Sequence, residues 1–240
     1  MAKITVAKNA GYCYGVRRAI EKAQGCAKAG EGPVYTAGPL IHNKFVVSQL
    51  EGQGIYSRDT IEAIPDGAQV VVRAHGITRQ QQEQLEQKGC RIVDATCPHV
   101  ARIHRIVEEE SAKGRHILII GSRAHPEVVG IASRCGQHTV LENLEEVAEF
   151  IKNLEEKPLS VVAQTTFNRE IFVNCTNLLK NTCKSIGIFD TICNATDERQ
   201  REARILAAES DAVIVIGDKT SSNSRRLYEI CCQVCRDTVF

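Results

Sequence analysis

The sequence predicts an α/β fold with parallel sheets, and two observations carry that expectation. Short β-branched runs alternate with helix-like segments through almost all of the 240 residues; the runs are continuously apolar, as suits strands covered on both faces. A loose repeat is superimposed on the alternation: three times a short strand leads into a cysteine, and a helix follows.

Strands are expected at 4–7, 34–36, 69–73, 91–94, 116–120, 139–141, 159–163, 188–190 and 211–216. The helices between them have legible starts. Thr78 with Gln81 makes a capping-box pattern for a segment that ends at Gly89, and Asn143 with Glu146 opens another ahead of Val147, Phe150, Ile151 and Leu154. No low-complexity stretch or Pro/Ser linker divides the chain, so repeated β-α units are expected. The repeat copies are Lys8-Asn-Ala-Gly-Tyr-Cys13, Ile92-Val-Asp-Ala-Thr-Cys97 and Phe189-Asp-Thr-Ile-Cys193, with helices expected from Gly15, Val100 and Asp197. Three similar units are able to bring those corners to one central point.

Composition narrows the function. Thirty Lys plus Arg against twenty-nine Asp plus Glu leave a net charge of +1, which argues against nucleic acid or an anionic membrane as the main partner. The longest apolar runs, such as 117–120 and 212–216, are too short to span a bilayer, and the opening residues lack the apolar core of a signal peptide. A soluble cytoplasmic protein is expected. Eleven cysteines, an odd number, then point to metal or redox chemistry more than to disulfides, with most of them packed as small hydrophobes.

Cys13, Cys97 and Cys193 lie far apart in the chain and form no C-x₂₋₄-C knuckle of the kind zinc sites use. Thiolates delivered singly by three strand ends suit a larger object such as an iron–sulfur cluster. Three thiolates on four irons leave one iron open to substrate, as a catalytic zinc keeps an open position. The competing feature is Cys231-Cys232-Gln-Val-Cys235, readable as half a zinc site or a dithiol pair. It continues the expected helix of Arg226-Leu-Tyr-Glu-Ile230 with no second pair nearby, which favours packing. Cys26, Cys90, Cys135, Cys175 and Cys183 are read the same way.

In open parallel sheets ligands gather beyond the carboxyl ends of the strands. His42 and Asn43 follow the second expected strand, His75 the third, His125 and Glu127 the fifth, and Gln164-Thr165-Thr166 the seventh. Ser221, Ser222 and Asn223 follow the ninth, ahead of a helix whose first N–H groups are ready to receive an anion. An ordinary N-cap explains that triplet equally well. Three histidines in equivalent places favour a shared pocket, since imidazoles donate hydrogen bonds to the same anion. Glu127 has two readings: an acid kept protonated by a dry pocket, with Thr165 relaying the proton, or a carboxylate at the positive end of a helix.

These residues resemble a known family, the LytB-type 4-hydroxy-3-methylbut-2-enyl diphosphate reductases of the non-mevalonate isoprenoid pathway. The resemblance is carried by Gly11-Tyr-Cys-Tyr-Gly-Val-Arg-Arg-Ala19, Gly38-Pro-Leu-Ile-His-Asn43, Arg73-Ala-His-Gly76, Asp94-Ala-Thr-Cys-Pro98, His125-Pro-Glu127 and Gln164-Thr-Thr166. It continues through Asp190-Thr-Ile-Cys-Asn-Ala-Thr196, Arg199-Gln200 and Ser221-Ser-Asn-Ser-Arg-Arg-Leu227, so it spans nearly the whole chain.

The resemblance implies a trefoil of three pseudo-symmetric α/β units around a central [4Fe–4S] cluster: 1–96 with an N-terminal strand, 97–188, and 189–240. It implies Cys13, Cys97 and Cys193 as cluster ligands; His42, His75, His125, Ser221, Ser222 and Asn223 as diphosphate-binding residues; and Glu127 with Thr165 as the proton source. The implied reaction takes two electrons, from ferredoxin or flavodoxin, and two protons, and expels water to yield isopentenyl and dimethylallyl diphosphate. Family members continue past the Ser-Ser-Asn segment with a further strand, a helix and a late serine that touches diphosphate. This sequence stops at Asp237-Thr-Val-Phe240, in mid-strand, so an incomplete third unit with an open sheet edge is expected.

Overall fold

Three parallel sheets organise the chain in a computed structural model that describes residues 3–154 and 157–240. In the first part, α1 (Tyr14–Lys28), β1 (Val34–Ala37), α2 (Lys44–Glu51), β2 (Ile55–Arg58), β3 (Gln69–Val72), α3 (Arg79–Gln87) and β4 (Arg91–Asp94) follow in order. Their strands lie side by side as β2-β1-β3-β4, all parallel. Next come α4 (Pro98–Ala112), β5 (His116–Ile120), α5 (Pro126–Ala132), β6 (His138–Leu141), α6 (Leu144–Lys152), β7 (Leu159–Ala163), α7 (Arg169–Thr182) and β8 (Ile186–Ile188). This second sheet runs β6-β5-β7-β8, the same order as the first and again parallel. Finally α8 (Asn194–Ala208), β9 (Val213–Ile214), α9 (Ser222–Cys232) and β10 (Thr238–Val239) place a two-stranded parallel sheet, β10-β9, that repeats the first two positions of that order.

The apolar runs explain the central strands. Alternate residues of β5 enter opposite cores: Leu118 and Ile120 pack with Phe172 and Leu179, while Ile117 and Ile119 pack with Ile103, Val107 and Ile131. β3 does the same in the first sheet, Val71 facing Ala19, Ala23 and Leu50, and Val70 and Val72 facing Ile64 and Leu85. Each such fully buried aliphatic side chain contributes roughly 1.5–3 kcal/mol. The helix starts behave as expected: Thr78 and Gln81 form a reciprocal capping box, and the Asn143 side chain accepts from the Glu146 N–H at 2.8 Å. No described helix is long and apolar enough to cross a membrane.

The expected N-terminal strand at 4–7 is not formed; Ile4 and Val6 stand 88% and 75% exposed. The following residues are tied to α8 instead. Lys8 and Asn9 donate their N–H groups to the Glu202 carboxylate (2.6 and 3.0 Å), and Arg199 donates to the carbonyls of Asn9 and Gly11 (2.9 and 2.8 Å). Polar anchoring of that segment to a distant helix overrides the β propensity of a few residues. The strand expected at 237–240 forms as β10 over Thr238–Val239, whereas β2 was not expected because it is short and only partly apolar, as edge strands tend to be. The strand expected at 211–216 contracts to Val213–Ile214, and the one at 188–190 shifts to Ile186–Ile188.

Candidate active site

Cys13, Cys97 and Cys193 are the N-cap residues of α1, α4 and α8, Cys13 and Cys193 in extended backbone conformation. Each opens a helix that packs on the elements following it: α1 on β1 and β3, α4 on β5 and β7, α8 on α9. Cys97 and Cys193 directly follow the last strand of the preceding sheet, and equivalent bonds pin them there. Cys97 N–H donates to the Ala74 carbonyl after β3 (2.9 Å), and Cys193 N–H donates to the Thr165 carbonyl after β7 (3.1 Å). Cys97 and Cys193 therefore sit just past the carboxyl ends of parallel strands, each at the start of a helix, as Cys13 is at the start of α1.

The three sulfurs interact electrostatically. Burial chiefly raises the Cys97 thiol above its ordinary pKa, and charges at Cys13 and Cys193 add to that; burial likewise raises Cys193, with Cys13 and Glu127 contributing. Among the described residues, only His42, His75 and His125 bring three potential ligand atoms within 4.8 Å of one another. Thiolates sharing one tetrahedral ion stand about 3.8 Å apart, given metal–sulfur bonds of about 2.3 Å. The cysteine sulfurs form no such trio among the described residues, so they are not arranged round a single ion, and their all-thiolate chemistry fits an iron–sulfur cluster. Gly15 leaves room for it: a Cβ there would lie 2.6 Å from the Cys97 sulfur.

The histidines arrive from three loops. His42 precedes the Asn43 N-cap of α2, His75 follows β3, and His125 is itself the N-cap of α5. Their ring centroids lie 4.6, 5.5 and 5.4 Å apart. His42 Nε2 and His75 Nδ1 are buried without a protein partner. His125 Nδ1 accepts from the Glu127 N–H (3.2 Å), so the neutral ring carries its proton on Nε2, aimed away as a donor. Burial is the main reason all three stay neutral: His42 is lowered, His125 falls to about 4, and His75 lies well below its ordinary value. The nearby Arg73 guanidinium pushes each in the same direction.

Glu127, 1% exposed, is gripped at both oxygens. Thr165 N–H donates to Oε1 (2.6 Å) and Thr165 Oγ1–H donates to Oε2 (2.7 Å). Burial nevertheless lifts its pKa to about 7 against those two bonds. Thr165 links this acid to Cys193, whose N–H donates to the Thr165 carbonyl (3.1 Å). Of the two readings open in the sequence, the burial and the raised pKa favour the proton-bearing one.

Ser221 caps α9 by accepting from the Ser224 N–H (3.3 Å), so the ordinary capping role is real for that residue. Ser222 is free of it and reaches the second unit: Thr166 Oγ1 and Gln164 Nε2 donate to its hydroxyl at 2.9 and 3.3 Å. A cavity of about 230 Å³ between His125 and α9 is lined by Ser122, Thr220 and Ser222, by Arg225 and Arg226, and by the Glu229 carboxylate that pairs with Arg226 (2.7 Å). Asn223 sits on the first turn of α9 and makes no side-chain hydrogen bond among the described residues. Gln164, Thr166 and Arg73 lie in the quoted motifs, but the sequence reading assigned them no role. Their signal was their position at strand ends, which does not say which way a side chain turns.

The alternative cysteine cluster does not assemble into a site. Cys231 and Cys235 are buried in the third core, donating to the carbonyls of Ala203 (3.8 Å) and Ser210 (3.5 Å), while Cys232 is exposed.

Comparison with known proteins gives a consistent result. The sequence profile described as "LytB protein" matches residues 4–240. The 4-hydroxy-3-methylbut-2-enyl diphosphate reductase of Clostridioides difficile is 39% identical over 228 residues, covering 95% of this chain and 82% of the relative. The protein of the same name from Aquifex aeolicus is 38% identical, covering 96% of this chain and 80% of the relative. The solved structure of the E-1-hydroxy-2-methyl-but-2-enyl-4-diphosphate reductase from Plasmodium falciparum superposes with a TM-score of 0.89 at 30% identity, covering 95% of this chain and 73% of that one. A second solved structure, described as (E)-4-hydroxy-3-methyl-but-2-enyl diphosphate reductase, the terminal enzyme of the non-mevalonate pathway, gives 0.75 at 37% identity, covering all of this chain and 85% of that one. With profile, sequence and fold in agreement, this chain belongs to the LytB protein family.

Proposed function

We propose that this chain reductively dehydroxylates 4-hydroxy-3-methylbut-2-enyl diphosphate to isopentenyl and dimethylallyl diphosphate in the cytoplasm. The observation that carries this reading is the meeting of three junction cysteines with a buried, protonatable Glu127 and a trio of neutral imidazoles. Cys13, Cys97 and Cys193 would hold a [4Fe–4S] cluster, which would supply single electrons and, at the iron without a thiolate, a Lewis acid for the allylic oxygen. Units at 1–96, 97–188 and 189–240 would then form a trefoil around it, with residues 8–11 bridging to the third.

The chain's own residues divide the remaining work. His42, His75 and His125 donate N–H groups to diphosphate oxygens, joined by the hydroxyls of Ser221 and Ser222, the Asn223 amide and the first N–H groups of α9. Glu127, with its pKa near 7, carries a proton in about half of the molecules at neutral pH; when protonated its Oε2–H donates to Thr165 Oγ1, which passes its own proton toward the departing hydroxyl, and that group leaves as water. Two electrons and two protons balance the loss of one water from the substrate. Ferredoxin or flavodoxin would deliver the electrons.

Anaerobic purification followed by iron and sulfide analysis tests this directly. Cys13→Ser, Cys97→Ser and Cys193→Ser should each lose iron and all turnover with a dithionite-reduced carrier, while Cys232→Ser keeps both. Retention of full iron in all three serine variants would overturn the proposal.

A further inference from the structure

The geometry points to Arg73 as a further binding residue: its guanidinium supplies the fixed positive charge that makes the histidine pocket select a multiply charged phosphate group. The inference rests on the diphosphate reading above and deepens it. Arg73 leaves the end of β3, two residues before His75. Its Nε donates to the Gly76 carbonyl (3.1 Å), and its Nη1 lies against Gly38, where a Cβ would be 2.5 Å away and where φ is +77°. The guanidinium is thereby held between the loops after β1 and β3, the same loops that carry His42 and His75. Its field reaches all three imidazoles.

Two features make that placement telling. Neutral imidazoles offer hydrogen bonds but no net charge, so three of them alone leave the several negative charges of a diphosphate uncompensated. Moreover, Arg73 is half-buried, yet among the described residues it has no carboxylate within ion-pair distance. Arg115, Arg134 and Arg226, similarly shielded, pair with Glu110 (3.2 Å), Glu108 (3.0 Å) and Glu229 (2.7 Å). A shielded, unpaired guanidinium is costly to maintain, and an incoming polyanion offsets that cost. The Asp218 carboxylate also faces His42, but it is occupied by the N–H groups of Lys44 and Thr220 (3.0 and 2.9 Å). Its negative charge sharpens the need for Arg73. The histidine trio is compact enough to ligate a metal ion, but the adjacent guanidinium repels a cation and His125 already uses its Nδ1 lone pair.

The test is calorimetric titration of inorganic pyrophosphate into anaerobically prepared, cluster-loaded protein, with iron content, KM and kcat measured alongside. Arg73→Met should weaken pyrophosphate binding and raise KM roughly 10- to 100-fold, with kcat within about threefold and iron unchanged. Arg73→Lys keeps the charge and should stay within about fivefold of the natural chain. Pyrophosphate binding to Arg73→Met at full strength would overturn the inference. So would equal losses in the Met and Lys variants with iron retained, which would assign the effect to the Gly76 hydrogen bond. Should Arg73→Met fail to fold or lose its iron, Arg73→Lys decides alone: near-natural affinity supports the inference, and a tenfold loss sinks it. If the natural chain itself binds no pyrophosphate, the diphosphate reading fails, an outcome distinct from these.

Discussion

The second and third sheets follow the same strand order but live in different environments. β5 and β7 lie between flanking strands with both faces packed, and 117–120 are fully buried. The β9–β10 pair shares one small core around Val215 and Cys231, and leaves Ile214 and Ile216 71% and 91% exposed. Even so, both sheets present a strand-to-helix corner in the same role. His125 caps α5 after β5, and Ser221 caps α9 after β9. The difference teaches that site residues are aimed by the corner, while stability is supplied by the sheet behind it.

Substitutions should separate those two contributions, and the largest effect belongs to the fully packed unit. Glu127→Gln should retain iron and lower turnover roughly 10²- to 10⁴-fold. In the natural chain, turnover should fall as pH rises through about 7, where Glu127 loses its proton. The linkage has a definite sign, because burial raises this carboxyl from its ordinary 4.5. Its protonated form stabilises the fold fully below about 4.5, and that share is lost as pH rises through about 7. Urea midpoints of the Gln variant should therefore gain on those of the natural chain between those values. A pH-independent difference would remove the claim.

Ile119→Ala, in the centre of the second sheet, should cost about 2–5 kcal/mol in urea unfolding. A smaller effect comes from the third unit's corner: Ser222→Ala should raise KM about tenfold with little change in unfolding, consistent with one lost bond to a charged group. The least expected is Ile214→Ala, within about 0.5 kcal/mol of the natural chain because the side chain is mostly solvated. Equal destabilisation by the two isoleucine changes would erase the contrast between the sheets.

Much of this was legible residue by residue. Continuous apolar runs placed β3, β5 and β7 because a strand buried on both faces must be apolar throughout. The three cysteines stood out because each was expected to end a strand and begin a helix; all three do begin helices, but only Cys97 and Cys193 follow strands. Edge strands such as β2 did not, since one solvated flank tolerates Tyr56 and Arg58. The segment 4–7 misled because its local pattern is strand-like, while the bonds that decide its course lie with Glu202 and Arg199, nearly the whole chain away.

Sequence alone therefore determined the fold class, the repeat and the identity of the polar residues at the strand ends, all of which follow from local periodicity and spacing. Only the tertiary structure decided that Glu127 meets Thr165, that Ser222 meets Thr166, that three histidine rings gather, and that Arg73 is held between Gly38 and Gly76. Those outcomes depend on burial and on contacts between distant loops. Burial sets a carboxyl's pKa and the need of a charge for a partner, and it exists only once the sheets have packed.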